Sequence, residues 1–279
     1  MSTLLDEPQF VHADGPDDAD HYNVRRPRAI LDGRAPWALV AALVILGSWQ
    51  LCAKTGLVDP SFTSYPTQVG GELVRYLSSS QGWSDLSYTA KEFAIGFLLA
   101  VAVGVPIGLV MGSSRRLESA VDPVLSFLNA SPLIAFAPLF VLWFGIGTQS
   151  KVAVVFFVAV IPIVVSARAG VAGGDHELLT MARSWNAGKL YTVRTVVLPG
   201  AVPSIAAGVR LGVGYALHGV VLGEFIAAYG GVGFRINTAT QTLNTGLMLA
   251  CVFLISGIGV IVTELAGLAE RHFSRWRVR

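Results

Sequence analysis

Long, mostly apolar runs alternate with polar stretches along this chain. The apolar runs cover residues 36–54, 89–111, 120–146, 151–167, 203–228 and 247–269. A helix needs about 20 apolar residues to cross ~30 Å of hydrocarbon. The pattern therefore predicts an all-α, polytopic membrane protein with about six transmembrane helices. The third run is broken by Asn129-Ala-Ser-Pro132 and by Pro138, and reads either as one kinked span or as two pieces. Pro106 and Pro162 fall inside the second and fourth runs, where the missing N–H kinks a helix. Gly104, Gly108 and Gly112 recur every fourth residue behind Gly96, and Gly208/Gly212 and Gly219/Gly223 repeat the spacing. Such faces let a second helix approach closely.

One stretch breaks the pattern. Residues 175–204 are polar, between two bilayer-length runs. A hydrophilic insert there has to lie outside the hydrocarbon, where its backbone can be hydrated or covered by protein. Leu178, Leu179, Ala182, Trp185, Leu190, Val193 and Val197 recur at helical spacing, with Arg183, Lys189 and Arg194 between them. Asn186 and Gly188 are helix-stop residues, so the insert predicts two short helices joined near 186–189. Pro199 and Pro203 flank the start of the next run.

Composition agrees with a membrane protein: 53% of residues are hydrophobic and 14% charged, against roughly 25% charged in soluble domains, and the mean hydropathy is +0.60. The net charge of +2 says little; its distribution says more. With the N-terminus inside, the inner segments hold Arg25, Arg26, Arg28, Arg34, Arg115, Arg116, Arg168, Arg183, Lys189, Arg194 and the C-terminal arginines. The outer ones hold Lys54, Arg75, Lys91, Lys151 and Arg235. Positive charge favours the cytoplasmic side, which puts the polar insert and both termini in the cytoplasm. Cys52 and Cys251 sit in separate apolar runs and read as small core residues rather than a disulfide or metal pair. No phosphate-binding GxxxxGK[ST], HExxH or GxSxG pattern occurs, so the chain is not expected to hydrolyse ATP itself.

Ionisable groups inside spans are costly and turn toward protein or water. Lys91 and Glu92, at the start of the second run, read as snorkelling to the headgroups. Arg210, His218 and Glu224 share the fifth run. Arg210 reads as snorkelling or pairing near the insert. His218 reads as a helix–helix contact or a cavity residue, and Glu224 as a hydrogen-bonding group or a pathway residue. Glu264 is expected to pair with a neighbouring arginine.

The insert also resembles a known element. Thr180-Met-Ala-Arg-Ser-Trp-Asn186, nine residues, then Val196-Val-Leu-Pro199 is similar in spacing to the EAA loop of ABC importer permeases. That loop is written Glu-Ala-Ala, three residues, Gly, nine residues, Ile, one residue, Leu-Pro. Here Thr180 replaces the Glu, Met181 the first Ala and Asn186 the Gly; Asn tolerates the left-handed backbone that such a turn needs. Val141-Leu-Trp-Phe-Gly-Ile-Gly147 and Gly219-Val-Val-Leu-Gly-Glu-Phe225 resemble the nitrate/sulfonate/taurine branch.

The resemblance implies a type I importer fold with a homodimeric pathway in a bacterial inner membrane. Residues 1–35 would be a polar cytoplasmic tail, 36–271 the transmembrane domain with its coupling loop at 173–203, and 272–279 a basic cytoplasmic end. The implied coupling residues are Leu179, Thr180, Ala182, Arg183, Trp185, Asn186, Ala187, Gly188, Leu198 and Pro199, with the docking helix at about 179–188. Arg210, His218 and Glu224 are the implied pathway candidates. No cofactor is expected in the chain; two cytoplasmic ATPase subunits would bind ATP and Mg, and an extracytoplasmic solute-binding protein would deliver the solute. No nucleic-acid partner is implied. The implied solute is a small anion (nitrate, a sulfonate or taurine) or a thiamine- or riboflavin-type precursor. An amphipathic loop on the membrane, or an ATP-independent transporter or channel, are the competing readings; the latter predicts paired inverted repeats.

Overall fold

The computed structural model describes residues 35–55, 64–174, 176–226 and 228–274, so the acidic N-terminal tail lies outside the described residues. Every regular element among them is helical. They are α1 (Ala35–Lys54), α2 (Pro66–Leu77), α3 (Ser80–Ser113), α4 (Arg115–Ala130), α5 (Ala137–Phe144), α6 (Thr148–Ala172), α7 (His176–Ser184), α8 (Lys189–Thr192), α9 (Leu198–Ile226), α10 (Val232–Gln241) and α11 (Thr245–Ser274). Among the described residues, four helices are long and apolar enough to cross a membrane: α3, α6, α9 with the turn before it, and α11. The chain divides into two units, 1–47 and 48–279. Of the first, the described part is the start of α1, which exposes Leu43, Val44 and Ile45.

In the second unit, α6 is the central element, gripped on two sides by glycines. Gly96, Gly104, Gly108 and Gly112 of α3 face Val155, Ile163, Ala167 and Val171 of α6 in rising order, so these two helices run parallel. On the other side Gly208, Gly212, Gly219 and Gly223 of α9 face Ser166, Ile163, Val155 and Lys151 in falling order, so α9 runs antiparallel. A Cβ on Gly108 would lie 2.5 Å from the Ala167 Cβ and 2.6 Å from the Val164 carbonyl oxygen. Lipid tails are as apolar as these side chains, so close dispersion contact across small residues holds the helices together. Ala100, Val155, Ala159, Ile163, Ala216 and Val220 fill the three-helix seam.

The parallel pairing of α3 and α6 fixes the path between them. The chain leaves α3 at one end of the bundle and must return to the other before α6 begins. No single helix makes that return. At 1.5 Å per residue α4 spans about 24 Å, and it stops at Ser131-Pro132. A 3₁₀ turn (Leu133–Phe136) and the short α5 complete the crossing. The third apolar run is thus two pieces: Pro132 has no N–H for the carbonyl of Leu128, and the Ser131 N–H serves the Phe127 and Leu128 carbonyls instead.

The second run also differs from its expected bounds. Helix α3 begins at Ser80, where the Ser79 hydroxyl caps it by accepting from the Gly82 N–H at 3.0 Å. Its buried residues form one stripe: Gly82, Asp85, Thr89, Glu92, Gly96, Ala100, Gly104, Gly108 and Met111. The upper half of that stripe is polar, and this shapes the site at one end of the bundle.

Candidate functional site

The polar insert folds as two short helices, as its spacing predicts, although the first is shorter than the expected docking helix. Helix α7 ends at Ser184, and 185–188 form the turn into α8. Asn186 has φ +53°, and the Ala187 N–H donates back to the Ala182 carbonyl at 3.0 Å. This six-to-one closure around a left-handed residue is a Schellman cap, a backbone position that Asn tolerates. Gly188 has open space around it. The Ser184 hydroxyl donates to the Thr180 carbonyl at 3.0 Å.

Beyond α8 the backbone widens into a π turn over Val193–Val197, closed by the Leu198 N–H on the Val193 carbonyl. Pro199 follows directly; it can donate to no carbonyl, and its ring would crowd the carbonyl of Thr195 in a tight α-turn. The wider turn lets the helix run on through Pro199 and Pro203 into α9, so the prolines lie within the helix rather than before it. Helix α7 packs on this π turn. Outward it shows Leu178, Met181 and Trp185, the last 81% exposed. These lie three and seven residues apart, on one helix face. Tyr191 extends the exposed apolar surface, and Thr180, Leu198 and Pro199 are exposed beside it. Ala182 and Ala187 are half-buried. The side chains of Leu179 and Arg183 lie outside the described ones.

The three candidates on α9 separate. Arg210 and His218 line a cleft of about 690 Å³ between α9 and α11, with Tyr215 and Thr263. Arg210 pairs across it with Glu270 at 3.2 Å; Glu270 thus takes the role expected of Glu264, which is exposed. Glu224 faces the other way and is fully buried. It accepts from the Thr89 hydroxyl and from the Gly233 N–H, each at 2.7 Å.

Around Glu224 lies a network that local sequence patterns do not reveal. Glu92 does not reach for headgroups: it is fully buried, and Lys151 Nζ lies 2.6 Å from its Oε1. Among the described residues neither Glu92 oxygen is met at hydrogen-bonding angles, and Lys151 is the cation in direct contact with it. Lys151, expected in an outer loop, is itself buried and packs beside Gly223. Asp85, also fully buried, accepts from the Tyr76 hydroxyl at 2.9 Å and the Gly231 N–H at 3.1 Å, and pairs with Arg235 at 2.9 Å. Burial, with the Asp85 carboxylate beside it, holds the Tyr76 phenol well above its ordinary range, so it stays protonated and donates. The network pins α2, α3, α6, α9 and α10 at the end of the bundle opposite the insert.

At the insert end, Arg168 of α6 pairs with Asp122 and, at 3.7 Å, with Glu118 of α4. Among the described residues no group of His, Cys, Asp and Glu is arranged to hold a metal ion.

Comparisons with known proteins agree with this architecture. Residues 104–275 match the family described as "binding-protein-dependent transport system inner membrane component". The chain is 30% identical over 239 residues to the putative aliphatic sulfonates transport permease protein SsuC of Bacillus subtilis, covering 86% of this chain and 87% of that one. It is 31% identical over 239 residues to the taurine transport system permease protein TauC of Escherichia coli, covering 84% and 86%. Its fold is similar to a chain of the inward-facing MetNI methionine ABC transporter, with a TM-score of 0.60 at 17% identity over 67% of this chain and 94% of that one. The chain belongs to the binding-protein-dependent inner membrane components, the multi-pass, non-catalytic permease subunits of ABC importers, whose ATP is bound by separate ATPase subunits.

Proposed function

We propose that two copies of this chain form the pathway of an importer for a small organic sulfonate such as taurine. An extracytoplasmic binding protein hands over the solute, and loop 173–203 couples transport to two cytoplasmic ATPase subunits. The observation that carries the coupling role is the exposed Met181 and Trp185 face on α7. Its helix is closed by the Asn186 cap and packs on the π turn leading into α9. A push on α7 has a continuous helical path into the bundle, whose far end is tied by the Glu92–Lys151 and Asp85–Arg235 pairs. ATP-driven approach of the two ATPase subunits would bring the loops together and rock the bundle about that fixed end.

The sulfonate reading is supported by the names of relatives at 30–31% identity. His218 and the Arg210–Glu270 pair line the α9–α11 cleft, which puts hydrogen-bonding groups on the proposed route. Six crossings are counted when α1 and the broken return join the four long helices; an even count keeps both termini on one side, and the Lys and Arg bias of the loop and flanks supports the cytoplasmic side.

Affinity purification of the tagged chain from gently solubilised membranes tests the assembly. An ATPase subunit bearing a phosphate loop should co-purify in equal amount, and Met181→Cys should crosslink to it. A chain that purifies alone and still moves solute would overturn the reading. Isothermal titration of the matching binding protein with taurine and with riboflavin identifies the cargo class.

A further inference from the structure

Helix α4 is unlike the other crossing elements in two respects. None of its residues is buried, and its polar residues are sorted onto one face. Arg115, Glu118, Ser119, Asp122, Ser126 and Asn129 recur at spacings of three, four and seven, with Glu118 and Ser119 adjacent. At about 100° per residue they occupy an arc of roughly 100°. Beyond Arg116, every residue of α4 outside that arc is apolar: Leu117, Ala120, Val121, Pro123, Val124, Leu125, Phe127, Leu128 and Ala130.

The apolar arc is suited to lipid, and it exposes Leu117, Val124 and Phe127. The polar arc is not. Its first turns meet Arg168 through Glu118 and Asp122, which sets the arc on the side of α6. Farther along, Ser126 and Asn129 are exposed, and among the described residues neither meets another helix through a side-chain hydrogen bond. Asn129 lies about 21 Å along the axis from Arg115, just before the turn whose Leu133 and Phe136 pack with Val154 and Val158, partway along the membrane-length helix α6. Just beyond it the helix breaks at Ser131-Pro132, where the Ser131 hydroxyl and N–H serve the Phe127 carbonyl and leave the last turn irregular. Polar side chains and interrupted backbone at that depth persist only against protein or water.

We infer that the polar arc of α4, Ser119 to Asn129 with the break behind it, borders the aqueous route of the solute. The hydroxyls of Ser119 and Ser126 and the carboxamide of Asn129 form a ladder of uncharged hydrogen-bonding groups. Such a ladder replaces water around a small polar anion without holding it fast. Arg168, already engaged by two carboxylates, stands at the exit end of this ladder as a neutralised cation. The inference rests on the permease reading above and adds residues that its pathway candidates, all on α9, do not include.

Cysteine labelling tests it in the intact complex in native membranes. Cys52 is exposed and is replaced by serine, whereas Cys251 is buried and stays. Ser119→Cys, Ser126→Cys and Asn129→Cys probe the arc; Val124→Cys and Phe127→Cys probe the apolar side. A charged, membrane-impermeant thiosulfonate reacts with thiolate, which forms only where water reaches. All five side chains lie away from buried cores, so water rather than packing decides the rates. The arc positions should react about tenfold faster or more than the apolar pair, and excess taurine with the binding protein should slow them. Equal rates on both arcs, or protection of the arc positions by disulfides between two copies, would overturn the inference. Co-purification of the ATPase subunits shows that each variant is assembled. It also separates failure of the permease reading from failure of the labelling pattern.

Discussion

Replacing Gly108 by alanine places one methyl group where α3 and α6 come closest. The new Cβ would stand 2.5 Å from the Ala167 Cβ, 2.6 Å from the Val164 carbonyl oxygen and 3.1 Å from the Arg168 N. Carbon atoms rest at about 3.5–4.0 Å, so the helices must part by roughly 1 Å. Neither obstacle can swing aside, since one is an alanine and the others are backbone. Parting also loosens the contacts of Gly104 and Gly112, because all three lie on one seam. Overpacking of this kind costs about 1–3 kcal/mol. At about 2–4 °C per kcal/mol for a chain of this size, Tm should fall by roughly 2–12 °C. Gly257→Ala is the control, since nothing lies within 4 Å of its added Cβ. Thermal melts of the purified complex, followed by tryptophan fluorescence, compare the two. If Gly108→Ala melts with the unaltered protein, the α3–α6 seam is not as close as described and the parallel pairing built on it fails.

Three further outcomes follow from the buried groups and the coupling loop. Lys151→Met leaves Glu92 as an unpaired buried charge and should cost about 3–5 kcal/mol, largely recovered when Glu92→Gln is added; a double-mutant cycle in thermal melts reads the coupling. Glu224→Ala strips the acceptor from the buried Gly233 N–H, while the Thr89 hydroxyl can turn to the Asp85 carbonyl at 3.1 Å; it should cost about 1–3 kcal/mol, seen as loss of folded protein on size exclusion, and an unaffected elution profile would contradict the buried placement. At Asn186, with φ +53°, glycine should be neutral or better, whereas valine should lose about 1–2 kcal/mol and weaken ATPase co-purification.

Several of these features can be read from the sequence. The small-residue faces of α3 and α9 follow from glycine spacing, and both meet α6. The joint at Asn186 follows from a residue that tolerates positive φ. The Glu92 pair is different. Read alone, Lys91-Glu92 before an apolar run looks like a membrane boundary. Continuing the Gly112–Gly108–Gly104–Gly96 stripe backward in steps of three and four, however, lands on Glu92, Thr89, Asp85 and Gly82, the buried face of α3. That signal was present, and the charges masked it. Their partners Lys151 and Arg235 lie on other helices, and no local period connects them. The broken third crossing was visible as Asn129 to Pro132, but deciding for two pieces required the parallel run of α3 and α6, a tertiary fact.

The two ends of the bundle therefore differ in kind. One is pinned by buried ion pairs and hydrogen bonds across five helices. The other carries an exposed, capped helix joined to the bundle through a widened turn, and among the described residues its ion pairs are those of Arg168 with α4 and of Arg210 with Glu270. On the proposed coupling role, motion imposed at the loop end would have a fixed end to work against.

Solute-stimulated ATP hydrolysis in proteoliposomes, measured with the binding protein inside the assay, tests this account most directly. The comparison is between the unaltered chain and one carrying Ala182→Trp with Trp185→Asp, which blocks close approach at α7 and reverses the character of its exposed face. The account predicts that stimulation by solute disappears while the membrane bundle keeps its thermal stability. Stimulated hydrolysis and coupled uptake persisting at normal levels in that variant would contradict it.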